Sequence, residues 1–128
     1  MTSQPDPTVG NATAAASCTI EERRVDAATV LTVSGTVDAL TAPQLEAAIT
    51  AAAKGSPAAL VVDLGAVEFL ASAGMGVLVA AHGDLSPAVR LVLVADGPAT
   101  SRPLKLIGIA DIVDLFPTLD EALIAVNT

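Results

Sequence analysis

The residue best placed to do chemistry in this 128-residue chain is Ser72. It stands in Val61-Val62-Asp63-Leu64-Gly65-Ala66-Val67-Glu68-Phe69-Leu70-Ala71-Ser72-Ala73-Gly74-Met75-Gly76, which reads as a buried strand, a short loop and the start of an apolar helix. A serine there presents its hydroxyl to solvent, with backbone N–H groups and the positive end of a helix dipole behind it. That suits the addition or removal of a phosphate. The same position suits a plain N-cap. No capping box accompanies it, since Met75 stands where Glu or Gln would close one. Gly74 and Gly76 are poor first-turn residues, each costing up to about 1 kcal/mol relative to Ala. Close approach of another backbone, or tight packing on a neighbouring strand, would explain them.

Catalytic readings of these residues fail on their neighbours. Ala71-Ser72-Ala73-Gly74 lacks the first glycine of a hydrolase nucleophile elbow. Gly74-Met75-Gly76 is followed by Val79 where a dinucleotide fingerprint requires glycine, and there is no Walker A lysine. His82 is the one histidine, near an expected helix end where a cation is favourable, with no second ligand spaced to hold a metal. Cys18 is the one cysteine, which excludes an intrachain disulfide and a cysteine-rich metal site. We expect no enzyme activity, no cofactor and no metal.

Composition narrows the partners. With 14 acidic and 6 basic residues the formal net charge is −8, which repels a phosphate backbone and argues against nucleic acid. It suits a basic protein partner. The chain is 52% hydrophobic and 2% aromatic, without Trp or Tyr, so its core must be Val, Leu, Ile and Ala and it has little with which to stack bases or sugars. No apolar run approaches the ~20 residues of a membrane span, and no signal peptide is evident, so a cytoplasmic protein is expected; the sequence does not fix its oligomeric state, for which a monomer is the expectation.

The elements that position Ser72 follow from patterning. Residues 1–17 hold almost no large apolar side chain and read as a disordered leader, with one domain over 18–128. Residues 18–22 read as an edge strand, 25–28 as a turn and 29–37 as an alternating strand. Thr41 is expected to N-cap a helix with Pro43 in its first turn, running over 44–53 and closed by Lys54-Gly55. Residues 58–64 form a nearly continuous apolar run, the mark of a strand covered on both faces. A helix is expected over 72–82, a strand over 90–95, and a turn at Asp96-Gly97-Pro98. Pro103 lies too deep for a helix begun at Pro98, which predicts either a kink or a late start capped by Ser101, ending at Gly108. A strand over 112–116 and a helix over 119–126 capped by Thr118 complete the order. Asp38, after a strand, reads equally as a turn-forming residue; Met75 reads as contact or core. The pattern is α/β, with a mixed, mostly parallel sheet of about five strands and about four helices.

Asp63-Leu64, Val67-Glu68-Phe69-Leu70-Ala71-Ser72-Ala73-Gly74 resembles the signature of STAS domains, Asp-Leu-x-x-Val-x-Phe-(Leu/Met)-Asp-Ser-(Ser/Thr)-Gly. Gly35-Thr36-Val37-Asp38-Ala39-Leu40-Thr41-Ala42 is similar to the family's Gly-Glu-(Leu/Ile)-Asp-x-x-Thr-Ala, and 97–109 ends in its Gly-(Leu/Ile). The likeness is strongest to the single-domain anti-sigma factor antagonists. It implies that Ser72 is phosphorylated by an anti-sigma factor that is also a kinase. The unphosphorylated form would bind that partner and release a sigma factor, and a phosphatase would reset the switch. It also implies a contact face of Asp38, Ala39, Thr41, Ala71, Ser72, Gly74 and Met75. Two positions depart from the pattern: Ala71 replaces the acidic residue, and Ala73 the hydroxyl residue, that usually flank the serine. The alternative is a STAS module binding a small anion or nucleotide at the Ser72 helix N-terminus.

Overall fold

The computed structural model describes residues 17–127; the expected leader lies outside them except for Ser17. β-Branched runs supply five strands, β1 (Cys18–Val25), β2 (Ala28–Val37), β3 (Ala59–Leu70), β4 (Arg90–Val94) and β5 (Asp114–Phe116), in one sheet ordered β1-β2-β3-β4-β5. β1 runs antiparallel to β2 and every other neighbour is parallel, the mixed, mostly parallel sheet expected. The helices are α1 (Ala42–Ala53), α2 (Ser72–Leu85), α3 (Ser101–Leu106) and α4 (Leu119–Asn127), with a 3-10 turn at Ile109–Asp111.

Strand side chains alternate between two faces, so the sheet has two cores. Leu31, Val33, Leu60, Val62, Leu91 and Leu93 meet Leu45 and Ile49 of α1, Leu78 of α2 and Leu104 of α3. Ala28, Val30, Val61, Val92 and Val94 on the other face meet α4 through Leu119, Ala122 and Leu123. Each fully buried leucine contributes about 1.5–3 kcal/mol, which is how an almost aromatic-free sequence holds its shape.

Several expectations need correction. β3 does not stop at residue 64; it continues through Gly65 to Leu70, because two extra residues bulge from it against β2. The register steps from Thr32↔Asp63 to Ser34↔Ala66, and from Gly35↔Val67 to Thr36↔Phe69. The buried positions therefore pass from spacing two (Leu60, Val62, Leu64) to spacing three (Val67, Leu70), which reads in sequence as a loop. Thr41 precedes α1 but its side chain makes no cap bond. α3 starts late as expected, but Thr100, not Ser101, stands at its N-cap, and Pro103 is its third residue, where an N–H donor would have no intrahelical partner to lose. β5 is shorter than expected because Ile109–Asp111 winds into the 3-10 turn.

β1 is longer than expected, because the turn of 25–28 shrinks to Asp26-Ala27 with Val25 and Ala28 paired. Thr118 caps α4 as anticipated: its hydroxyl accepts from the Glu121 N–H at 3.2 Å and donates to the Glu121 carboxylate at 3.2 Å.

Candidate functional site

Ser72 is the first residue of α2, and the N-cap position belongs to Ala71, in extended conformation at φ −88° and ψ 170°. No side chain caps this helix, so the Ser72 hydroxyl is not consumed by the backbone and its residue is exposed. The start of α2 is instead fixed from below: the Ala71 N–H donates to the Val37 carbonyl at 2.8 Å, tying it to the end of β2. Ala71 is half-buried and Ala73 exposed, and their methyl side chains supply no charge beside the hydroxyl.

Gly74 is buried where α2 crosses the end of the sheet. A Cβ there would stand 2.5 Å from Val37 Cγ1 and 3.0 Å from Leu70 Cδ1. Close packing on β2 and β3 therefore explains this glycine, and it presents no surface to a partner. Met75, expected among the contact residues, is 6% exposed and belongs to the core. Gly76 differs: a Cβ would meet nothing within 4 Å, so it leaves an open step in the helix surface.

The loop after β2 begins at Val37, whose carbonyl holds the Ala71 N–H at the start of α2. Asp38 Oδ1 accepts from the N–H groups of Leu40 at 2.9 Å and Thr41 at 3.2 Å, an Asx turn. The Thr41 hydroxyl accepts from the Asp38 N–H at 2.9 Å and donates to the Thr36 carbonyl at 2.8 Å. Asp38 and Thr41 thus build the loop from inside, Thr41 being buried. The loop presents Ala39, exposed, and Leu40, 79% exposed. Ala39 is among the expected contact residues and Leu40 is not, although a leucine between the loop-forming Asp38 and Thr41 is the sequence signal for an exposed apolar contact.

A groove of about 460 Å³ opens beside Ser72, lined by Gly76, Val79, Ala80, Ile107, Ile109 and Ile112, with Met75 at its floor. Ile107 is 58% and Ile112 54% exposed. Isoleucines left in water at such levels, next to one another and to a free hydroxyl, form an exposed apolar patch of the kind interaction surfaces use. They escaped the sequence reading because Leu106-Ile107-Gly108-Ile109 looks like ordinary core spacing until Gly108, at φ +85°, turns the chain and leaves Ile107 outside.

His82 lies half-buried in the last turn of α2, with Nδ1 buried and lacking a hydrogen-bond partner. Among the described residues no group of three His, Cys, Asp or Glu side chains is placed to hold a metal, and no helix is long and apolar enough to cross a membrane. Burial pushes the Cys18 thiol above its ordinary range.

Comparison with known proteins agrees with this architecture. The chain is 42% identical over 98 residues to the anti-sigma-F factor antagonist RsfB of Mycobacterium tuberculosis, covering 77% of this chain and 80% of that protein. It superposes on the crystal structure of an anti-sigma factor antagonist from Mycobacterium paratuberculosis with a TM-score of 0.84 and 46% identity, covering 88% of this chain and 96% of that one. The Bacillus cell fate determinant SpoIIAA in its phosphorylated form shares the fold, at TM-score 0.64 and 20% identity, over 84% of this chain and 99% of that one. Residues 19–122 match the STAS domain, and the chain belongs to that family.

Proposed function

We propose that this protein is an anti-sigma factor antagonist whose Ser72 face docks on an anti-sigma factor and thereby frees a sigma factor. Phosphorylation of Ser72 by that partner, acting as kinase, would end the docking, and a phosphatase would restore it. The observation that carries this reading is an exposed serine hydroxyl, unused as a cap, at the rim of an exposed apolar groove. The 42% and 46% identities to two proteins named as such antagonists support the partner class.

Charge explains how one phosphate would control the surface. A phosphoserine adds about −1.5 to −2 charge, and a helix N-terminus accommodates it at a gain of ~0.3–1 kcal/mol. The fold therefore tolerates the modification. Docking does not, because the partner would bury a dianion beside the isoleucines of the groove. A mispaired charge at an interface costs ~2–5 kcal/mol, about 30- to several-thousand-fold in affinity. Asp38 takes part as the builder of the Leu40 loop, its carboxylate being engaged with the loop's own N–H groups.

Titration of the anti-sigma factor with Ser72→Ala, Ser72→Glu and Ile107→Glu tests the reading. Ser72→Ala should bind as the unphosphorylated wild type does, and the two glutamate variants poorly. Equal binding of Ser72→Ala and Ser72→Glu would sink the switch, whereas normal binding of Ile107→Glu would remove the groove from the interface.

A further inference from the structure

Strand β1 forms one edge of the sheet. Its two-residue turn makes Val25 and Ala28 a hydrogen-bonded pair, so the odd-numbered residues of β1 bond to β2. The Thr36 N–H donating to the Ser17 carbonyl at 2.8 Å continues that ladder. Ile20, Glu22 and Arg24 consequently turn their N–H and C=O groups outward. The next outward carbonyl, on Cys18, accepts from Gln44 Nε2 at 2.9 Å, which closes the free stretch at that end.

Glu21, Glu22, Arg23 and Arg24 are all exposed, and none makes an ion pair with another described residue. Charges on an edge strand ordinarily keep other strands away. Here two acids are followed by two bases, so the segment carries no net charge and can set acid against base when two copies run antiparallel.

We propose that β1 pairs with β1 of a second copy of this chain, antiparallel about a two-fold axis through Glu22, joining the two sheets into one. In that register Glu22 faces Glu22, and Ile20 faces the second copy's Arg24, as hydrogen-bonded pairs that engage the outward N–H and C=O groups of Ile20, Glu22 and Arg24 through about six backbone bonds. Glu21 faces the second copy's Arg23, and Arg23 its Glu21, at the non-hydrogen-bonded positions where side chains stand closest. The Glu22 pair is the one like-charge contact, and an Arg24 stands diagonal to each of its members. An in-register parallel pairing sets like against like at all four positions, so the charges select the antiparallel form. This departs from the monomer expected of the sequence. β1 contributes no residue to the Ser72 groove, which makes the association independent of docking there.

One strand pair buries little surface, so the dimer belongs with transient interfaces under ~1,200 Å² and depends on concentration. Sedimentation equilibrium of the full chain from about 10 μM to about 1 mM should show reversible dimerisation that weakens with salt. Amide exchange at Ile20, Glu22 and Arg24 should slow as concentration rises. Glu21→Arg sets arginine against arginine twice and should weaken association at least about tenfold; adding Arg23→Glu should restore it. A monomer at all concentrations, a dimer indifferent to Glu21→Arg, or a failure of the double exchange to restore association would each overturn the proposal.

Discussion

Replacing Gly74 with alanine tests the packing that sets Ser72 at the surface. The added methyl would lie 2.5 Å from Val37 Cγ1 and 3.0 Å from Leu70 Cδ1. Val37 is fully buried and β-branched, with one preferred rotamer, so it has little freedom to swing aside. Overpacking of this kind costs about 1–3 kcal/mol. Removing a glycine from a helix returns roughly 0.5–1 kcal/mol. The net is a loss centred on about 1 kcal/mol, and up to about 2.5 kcal/mol, for Gly74→Ala. Gly76→Ala meets nothing within 4 Å and keeps only the gain, so it should stabilise by roughly 0.5–1 kcal/mol. Urea unfolding followed by circular dichroism reads both, and the two midpoints should move in opposite directions at unchanged m-value. Melting temperatures should differ by several degrees, at roughly 4 °C per kcal/mol for a fold of this size. Equal stability of the two variants would refute the reasoning, because only the contacts with β2 and β3 distinguish the two glycines.

Three further outcomes follow from the geometry. Asp38→Ala removes the acceptor of two loop N–H groups and should cost about 1–2 kcal/mol and weaken anti-sigma factor binding, whereas Asp38→Asn keeps an Oδ1 acceptor and should bind nearly as wild type in the same titration. Cys18 should alkylate more slowly at pH 8 in the folded protein than in urea, since burial raises its pKa and leaves less thiolate. By linkage, its contribution to stability is full below the ordinary thiol range and lost as pH rises through the raised value, which unfolding titrations on Cys18→Ser and wild type would show. The exposed Arg90–Asp114 pair, at 2.8 Å, should contribute under ~1 kcal/mol, so Asp114→Asn should shift the unfolding midpoint little and less still in high salt.

The course of the chain was legible where apolar spacing and turn residues agree. The central strand's apolar run, Pro43 in the first turn of α1 and the Thr118 cap all declare their structures locally. The end of β3 was not legible, because its two bulges break the alternation on which strand reading depends and Gly65, whose N–H is held by Asp63 Oδ1 at 2.9 Å, imitates a terminator. Thr41 does not cap α1 with its side chain because its hydroxyl accepts the Asp38 N–H, outside the helix, and donates to the Thr36 carbonyl five residues back across a bend. At the site, Ser72 was found from its neighbours. Val79, Ile107 and Ile112 were not, since only the folded chain shows that a helix face, a helix end and a 3-10 turn converge on one groove.

The central claim is that a phosphate on Ser72 acts through charge at the docking surface and leaves the fold unchanged. The most direct measurement is calorimetric titration of the anti-sigma factor with unphosphorylated protein and with protein shown by intact mass to carry one phosphate on Ser72. Thermal unfolding of both forms is recorded alongside. The account predicts affinity at least about 30-fold weaker for the phosphorylated form, with unfolding no less cooperative and no lower in temperature. Equal affinities, or a loss of affinity matched by a loss of folded protein, would contradict it.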